Sequence, residues 1–213
     1  MEDRGGARIP SSHVAEGVRS TVTSAPASSR VLRPLLQAIR DQYALPWWGL
    51  HGVPHWARVY ENALRLLDRT RADREVLLYF ALFHDAMRVN ESWDEGHGRR
   101  GAEFAASLRG SYFDLTSHQF ELLFFACAQH TEGLVEADPT VQICWDADRL
   151  DLARARILPH PDHLCCPTAR QPEVIAWATD RSLRHWIPSI VQEAWATQGP
   201  GPETVDRSKG QQA

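Results

Sequence analysis

The adjacent pair His84-Asp85 closes an apolar run from Val76 to Phe83, and this puts an imidazole and a carboxylate where a helix apolar on all sides would end. Such a helix is a buried one, and a bare carboxylate in an interior is costly. A bound cation would remove that cost. Candidates for the remaining ligands are His55, in His55-Trp56-Ala57-Arg58-Val59, and Asp148, in Asp146-Ala147-Asp148-Arg149-Leu150-Asp151. A donor set of nitrogen and oxygen without cysteine suits Mn, Fe, Co, Ni or Zn, or Mg with more oxygen.

These residues need helices to carry them, and helix signals recur along the chain while alternating patterns are scarce, so the expected class is all-α. A first helix spans about 29–43, with Val31, Leu35, Leu36 and Ile39 on one face. Pro54 suits the first turn of a second, reaching to about Arg69, which places His55 near its start and Arg58 one turn further on the same face. Asp73 can cap the third, buried helix. His97 opens an Ala-rich helix closed by Gly110. Thr116 and Gln119 have the spacing of a capping box before a helix ending near His130. Asp138-Pro139 opens the helix of Asp148, two more follow near 172–185 and 188–197, and 159–172 reads as loop. Along its helix Asp148 neighbours Val141, Cys144, Trp145 and Leu152, an apolar face, whereas Asp146 neighbours the more mixed Gln142, Ile143, Arg149 and Leu150, so Asp148 is the better ligand. His97, at a helix N-terminus, is biased toward the neutral imidazole that binds metal, and His130, at a C-terminus, toward the cation.

The chain has 213 residues, enough for one domain. The expected division is a disordered tail over 1–28, rich in Ser, Ala, Gly and Arg, a helical domain over 29–197, and a second tail over 198–213. A net charge of -4 argues against a nucleic-acid polymer or an anionic membrane as partner. Lys209 is the only lysine, so nearly all positive charge is Arg. Cys127, Cys144, Cys165 and Cys166 show no CxxC spacing and read as reduced, mostly buried thiols. With no apolar leader and no run able to span a bilayer, the expected location is cytoplasmic. A homo-oligomer is compatible with all of this.

The segments HxxRV at His55, FHDAMR at His84-Asp85 and DADRLD at Asp148, in that order, resemble the HD-domain superfamily of metal-dependent phosphohydrolases over roughly residues 30–160. The fuller strings HGVPHWARV, HDAMRVNE, HGRRGAEF and CWDADRLDL look like a bacterial subgroup of it. The resemblance implies an all-α helical bundle in which His55, His84, Asp85 and Asp148 bind a divalent metal. It implies metal-assisted hydrolysis of a small phosphorylated substrate, plausibly a nucleotide phosphomonoester or phosphodiester, with Asp85 orienting the attacking water as base and Arg58 and Arg88 binding phosphate. Many members carry HDxxK, whereas this chain has Arg88 at that spacing, and Arg is a poor acid. His97 and His130 fall where binuclear members, including di-iron oxygenases and cyclic-dinucleotide phosphodiesterases, present extra histidines. They are candidates for a second metal or for substrate contact, and His51 is a candidate to reach the pocket from its loop. The competing readings are a di-iron oxygenase and a nucleotide-binding sensor without turnover. Trp47, Trp48, Trp56 and Trp93 could form a stacking wall.

Overall fold

A computed structural model describes residues 28–67 and 71–195, all helical or loop, with no strand among them. The expected tails lie outside the described residues, apart from Ser28, which opens the first helix. In chain order the helices are α1 (Ser28–Gln42), α2 (Val53–Leu66), α3 (Arg74–Phe83), α4 (His97–Leu108), α5 (Ser117–Gln129), α6 (Pro139–Arg149), α7 (Pro172–Leu183) and α8 (Ser189–Glu193). Two single 3-10 turns, Leu152–Ala155 and Pro161–His163, interrupt what reads from sequence as helix end and loop. No described helix is long and apolar enough to cross a membrane.

The starts of α3, α5 and α6 are laced together. Asp73 caps α3 by accepting from the Glu75 and Val76 amides, and its own amide donates to Thr140 Oγ1 in the first turn of α6 at 3.2 Å. Gln119, which completes the capping box with Thr116 at the start of α5, donates from Nε2 to Asp73 Oδ2 at 2.8 Å. Asp138 caps α6 through the Thr140 amide, with Pro139 in the first turn. Three helices that begin together and pack against one another run side by side, so their C-termini arrive together at the far end. Those ends carry His84, His130 and Asp148. Each helix terminus presents unpaired carbonyls and the negative end of its dipole, which favours a cation there.

Between them sits the core, in which Trp56, Trp145, Phe80, Phe83 and Leu123 are fully buried. Trp145 keeps its indole hydrogen bond, to the Ala126 carbonyl at 3.0 Å, which ties α6 to α5 within reach of the site. The fourth wall is α4, which lies flush against its neighbours because Gly98 and Gly101 lack side chains. A Cβ at Gly101 would stand 2.2 Å from the Phe83 carbonyl oxygen, and one at Gly98 would stand 2.3 Å from that of Cys127. Without those glycines α4 could not bring His97 up to the ends of α3 and α5.

Candidate metal centre

Four imidazoles meet where these helices converge, and their hydrogen bonds fix which nitrogen faces inward. His84 donates from Nδ1 to the Phe80 and Ala81 carbonyls at 3.1 and 3.2 Å, His97 to the Asp94 carbonyl at 2.6 Å, and His130 to the Cys127 carbonyl at 2.8 Å. His55 Nδ1 lies 2.8 Å from Asp151 Oδ2. Carbonyl and carboxylate oxygens only accept, so every Nδ1 holds the proton and every Nε2 offers a lone pair. Yet the Nε2 atoms of His55 and His84 face each other at 3.0 Å, as do those of His97 and His130.

Two carboxylates complete the arrangement. Asp148 Oδ1 is 3.4 Å from His55 Nε2 and 3.8 Å from His84 Nε2, and it is buried with no hydrogen-bond partner. Asp85 reaches both pairs, with Oδ1 3.1 Å from His97 Nε2 and Oδ2 3.5 Å from His55 Nε2. The donors thus form two groups able to hold a metal ion, His55 with His84 and Asp148, and His97 with His130 and Asp85. Lone pairs pointed at lone pairs in a dry interior repel unless a cation lies between them. The orphaned Asp148 oxygen and the three converging helix ends make the same demand. The residues fit divalent metal.

The electrostatics agree for His84 and the two carboxylates, while His130 is drawn toward the cation as long as no metal competes for its Nε2. Burial drives His84 down to about 3, against the pull of Asp85 and Asp148, so its imidazole stays neutral and able to ligate. Burial acts the same way on His130, but the Asp85 hydrogen bond and the Asp148 charge more than offset it and its pKa rises. Burial alone would raise both carboxyls. The surrounding histidines hold Asp85 well below the usual range, and His84, Arg154 and His55 lower Asp148.

Of the expected site residues, His55, His84, Asp85, Asp148, His97 and His130 come together, and His97 and His130 join as one pair. His51 lies beside them, its ring 6.4 Å from that of His55 and its Nδ1 against the Glu91 carboxylate. Arg58 does not face the site. Its Nε and Nη2 clasp Asp151 at 2.8 and 2.9 Å, and its Nη1 donates to the Trp186 carbonyl at 2.9 Å, so all three nitrogens are engaged with other partners and its part is to hold Asp151 behind His55. Arg88 does face the site through Nη1, 3.1 Å from His97 Nε2 and 3.5 Å from Asp85 Oδ1. Its other nitrogens brace the carbonyls of Asn90 and Ser92. Asp146 points away, accepting the Cys165 and Cys166 amides at 2.6 and 2.7 Å.

The tryptophan wall does not form, because Trp47 and Trp56 are buried against Tyr43 in edge-on contacts, while Trp93 is 82% exposed. All four cysteines are free and buried, with burial pushing the Cys165 thiol up to about 12. Two residues beside the ligands were given no role from sequence, Asp151 and Arg154. The signal was there, since Asp148, Asp151 and Arg154 follow one another at intervals of three. That is the period of a 3-10 turn, and the chain makes one over Leu152–Ala155.

Residues 53–153, which carry every one of these ligands, match the family model of the HD domain. The chain carries an HD domain over these residues. No curated protein matches it. Its fold is similar to the crystal structure of a predicted HD superfamily hydrolase from an uncultured Thermotogales bacterium, with a TM-score of 0.54 and 26% identity over 78% of this chain and 93% of that one. The HD doublet of this chain is His84-Asp85. Both residues lie in the turn that ends α3, and the stacking of His84 on Phe80, with ring centroids 4.9 Å apart, sets the angle at which the imidazole enters the cluster.

Proposed function

We propose that this HD domain is a metal-dependent phosphohydrolase that acts on a small phosphorylated molecule, a nucleotide phosphomonoester or phosphodiester among the candidates, with two divalent cations. One cation would be held by His55, His84 and Asp148 and the other by His97, His130 and Asp85. When bound, such ions polarise phosphoryl oxygens and lower the pKa of water enough to supply a nucleophile near neutral pH. The protein's own part is positional. Asp85, kept ionised among four histidines, accepts a hydrogen bond from the attacking water and orients it, while Arg88 sets positive charge beside the same carboxylate for a phosphoryl oxygen. The observation that carries the reading is the facing of Nε2 atoms in pairs around shared carboxylates.

The test is elemental analysis of protein purified without chelator, followed by a screen for phosphate release with Mn, Co, Mg, Fe, Ni and Zn. Stoichiometric metal and release of phosphate are expected, and a metal-free protein with no release from any phosphorylated compound overturns the reading. The carboxylate shared between two histidine pairs also favours a second reading, a di-iron oxygenase. Two irons per chain and oxygen-dependent turnover would establish that one instead, and saturable nucleotide binding without product would mark a sensor.

A further inference from the structure

Arg154 is the buried cation the site has not yet used. It comes from the 3-10 turn after α6, and its side chain is 5% exposed. Nη1 donates to the Asp151 carbonyl at 3.1 Å, and Nε has no partner. Nη2 stands 3.7 Å from Asp148 Oδ1 and 3.9 Å from Asp85 Oδ2, too far for hydrogen bonds. A guanidinium whose task was to neutralise these carboxylates would close on them, as Arg58 closes on Asp151 at 2.8 Å one turn away. Arg154 instead stops short of both carboxylates, whose oxygens a metal would occupy, and keeps its Nε without a partner.

A second orphan lies nearby. The hydroxyl of Tyr43, at the end of α1, is buried without a hydrogen-bond partner, its ring wedged edge-on between Trp47 and Trp56 at 5.9 and 5.2 Å. It lies close enough to the cluster to feel the charges of Asp85, Glu91, Arg88 and Arg154, and burial is the main cause that keeps its proton on. Arg154 borders the carboxylate cluster and Tyr43 stands within reach of its charges, and each buried donor without an acceptor costs free energy until one arrives. With cations in place the cluster would be strongly positive, because Arg88 and Arg154 already offset Asp85 and Asp148. The missing acceptor is therefore an anion rich in oxygen.

We propose that Arg154 and Tyr43 form an oxyanion pocket that seats the phosphoryl group of the substrate, Arg154 supplying charge-assisted hydrogen bonds and Tyr43 a neutral one. This rests on the phosphohydrolase reading and names the residues that would recognise its substrate. The test is calorimetric titration of inorganic phosphate into the metal-loaded full chain, with metal per chain measured on every sample. Arg154→Gln is expected to weaken phosphate binding by about tenfold to a hundredfold, Arg154→Lys by less, and Tyr43→Phe by about threefold to tenfold, all with wild-type metal content. Wild-type phosphate affinity in both Arg154 variants, with metal retained, overturns the pocket and leaves the phosphohydrolase standing. So does loss of metal from Arg154→Lys, which would make the residue a support for the ligands. Should Arg154→Gln fail to fold, Arg154→Lys and Tyr43→Phe decide the matter. A metal-loaded wild type that binds no phosphate also overturns the pocket, whereas the phosphohydrolase reading falls only with the absence of phosphate release.

Discussion

The two halves of the centre are built from the same atoms and supported differently. In the first, His55 and His84 sit within the packed core, both fully buried, and His55 is backed by a carboxylate that is itself clasped by Arg58. In the second, the Nδ1 atoms of both His97 and His130 lean on backbone carbonyls, those of Asp94 and Cys127, as only His84 does in the first, and His97 stands at the mouth of the polar loop 89–96. A carboxylate behind an imidazole makes it more basic and fixes its angle better than a carbonyl does. On this contrast the first half is expected to hold a cation more firmly than the second, with Asp85 standing between them.

The largest expected effect comes from removing a ligand of the first half. His84→Ala and Asp148→Ala are each expected to abolish stoichiometric metal and phosphate release. His97→Ala is expected to leave the first half loaded, close to half the metal of wild type. Elemental analysis of the three variants side by side checks this, and equal loss in all of them would erase the distinction between the halves. A smaller effect of the same kind is expected from Asp151→Asn. It keeps the shape but withdraws the charge behind His55, and metal affinity should fall about tenfold to a hundredfold by competition with a chelator. The Cys127 and Asp94 carbonyls behind the second half carry no side-chain charge to withdraw.

The same contrast explains what could be read from the chain. The first half was legible because its ligands sit at the termini of helices with strong start and stop signals: the Asp73 and Asp138 caps, Pro54 and Pro139 in first turns, and an apolar face around Asp148 that all survive in the structure. The second half was legible as two histidines at helix ends. What brings them together was not, because the approach of α4 depends on Gly98 and Gly101 touching backbone far away in sequence. Arg58 misled for a related reason. Its helical neighbourhood with His55 was right, but its partner Asp151 lies 93 residues on, beyond the reach of local pattern. Arg154 stayed hidden because the chain tightens from an α-helix to a 3-10 turn at Leu152, and a period of 3.6 carried past that point puts the wrong residues on the inner face.

Asp146 and Asp148 lie two apart on one helix and test whether burial alone makes a metal ligand. Asp146 is the more buried of the two, and burial raises its carboxyl, partly countered by the Cys165 and Cys166 amides. Its carboxylate is spent on pinning the loop before α7. Asp146→Ala should therefore cost stability, about 2–4 kcal/mol for two amides left unsatisfied in the interior, read as a lower denaturation midpoint. The folded variant should keep wild-type metal content. Loss of metal at unchanged stability would place Asp146, not Asp148, in the first half.

The smallest effect is expected at Asp94, which laces the loop that feeds the second half. Its carboxylate accepts from the Val89 amide at 2.8 Å and from Arg100 Nη2 at 2.6 Å, and its carbonyl holds His97. Burial would raise this carboxyl, but the Val89 hydrogen bond and Arg100 bring it below its ordinary 3.8. A carboxyl depressed by folding contributes stability above its unfolded pKa and loses that contribution as pH falls through the folded value. Asp94→Asn should thus be less stable than wild type at pH 7 by roughly 1 kcal/mol, the worth of hydrogen bonds to a charged acceptor whose Arg100 partner is open to water. The difference between the two proteins should shrink below about pH 4. A gap that persists unchanged into acid would mean that the loop is held by shape and not by this charge, and the second half would then be as firmly seated as the first.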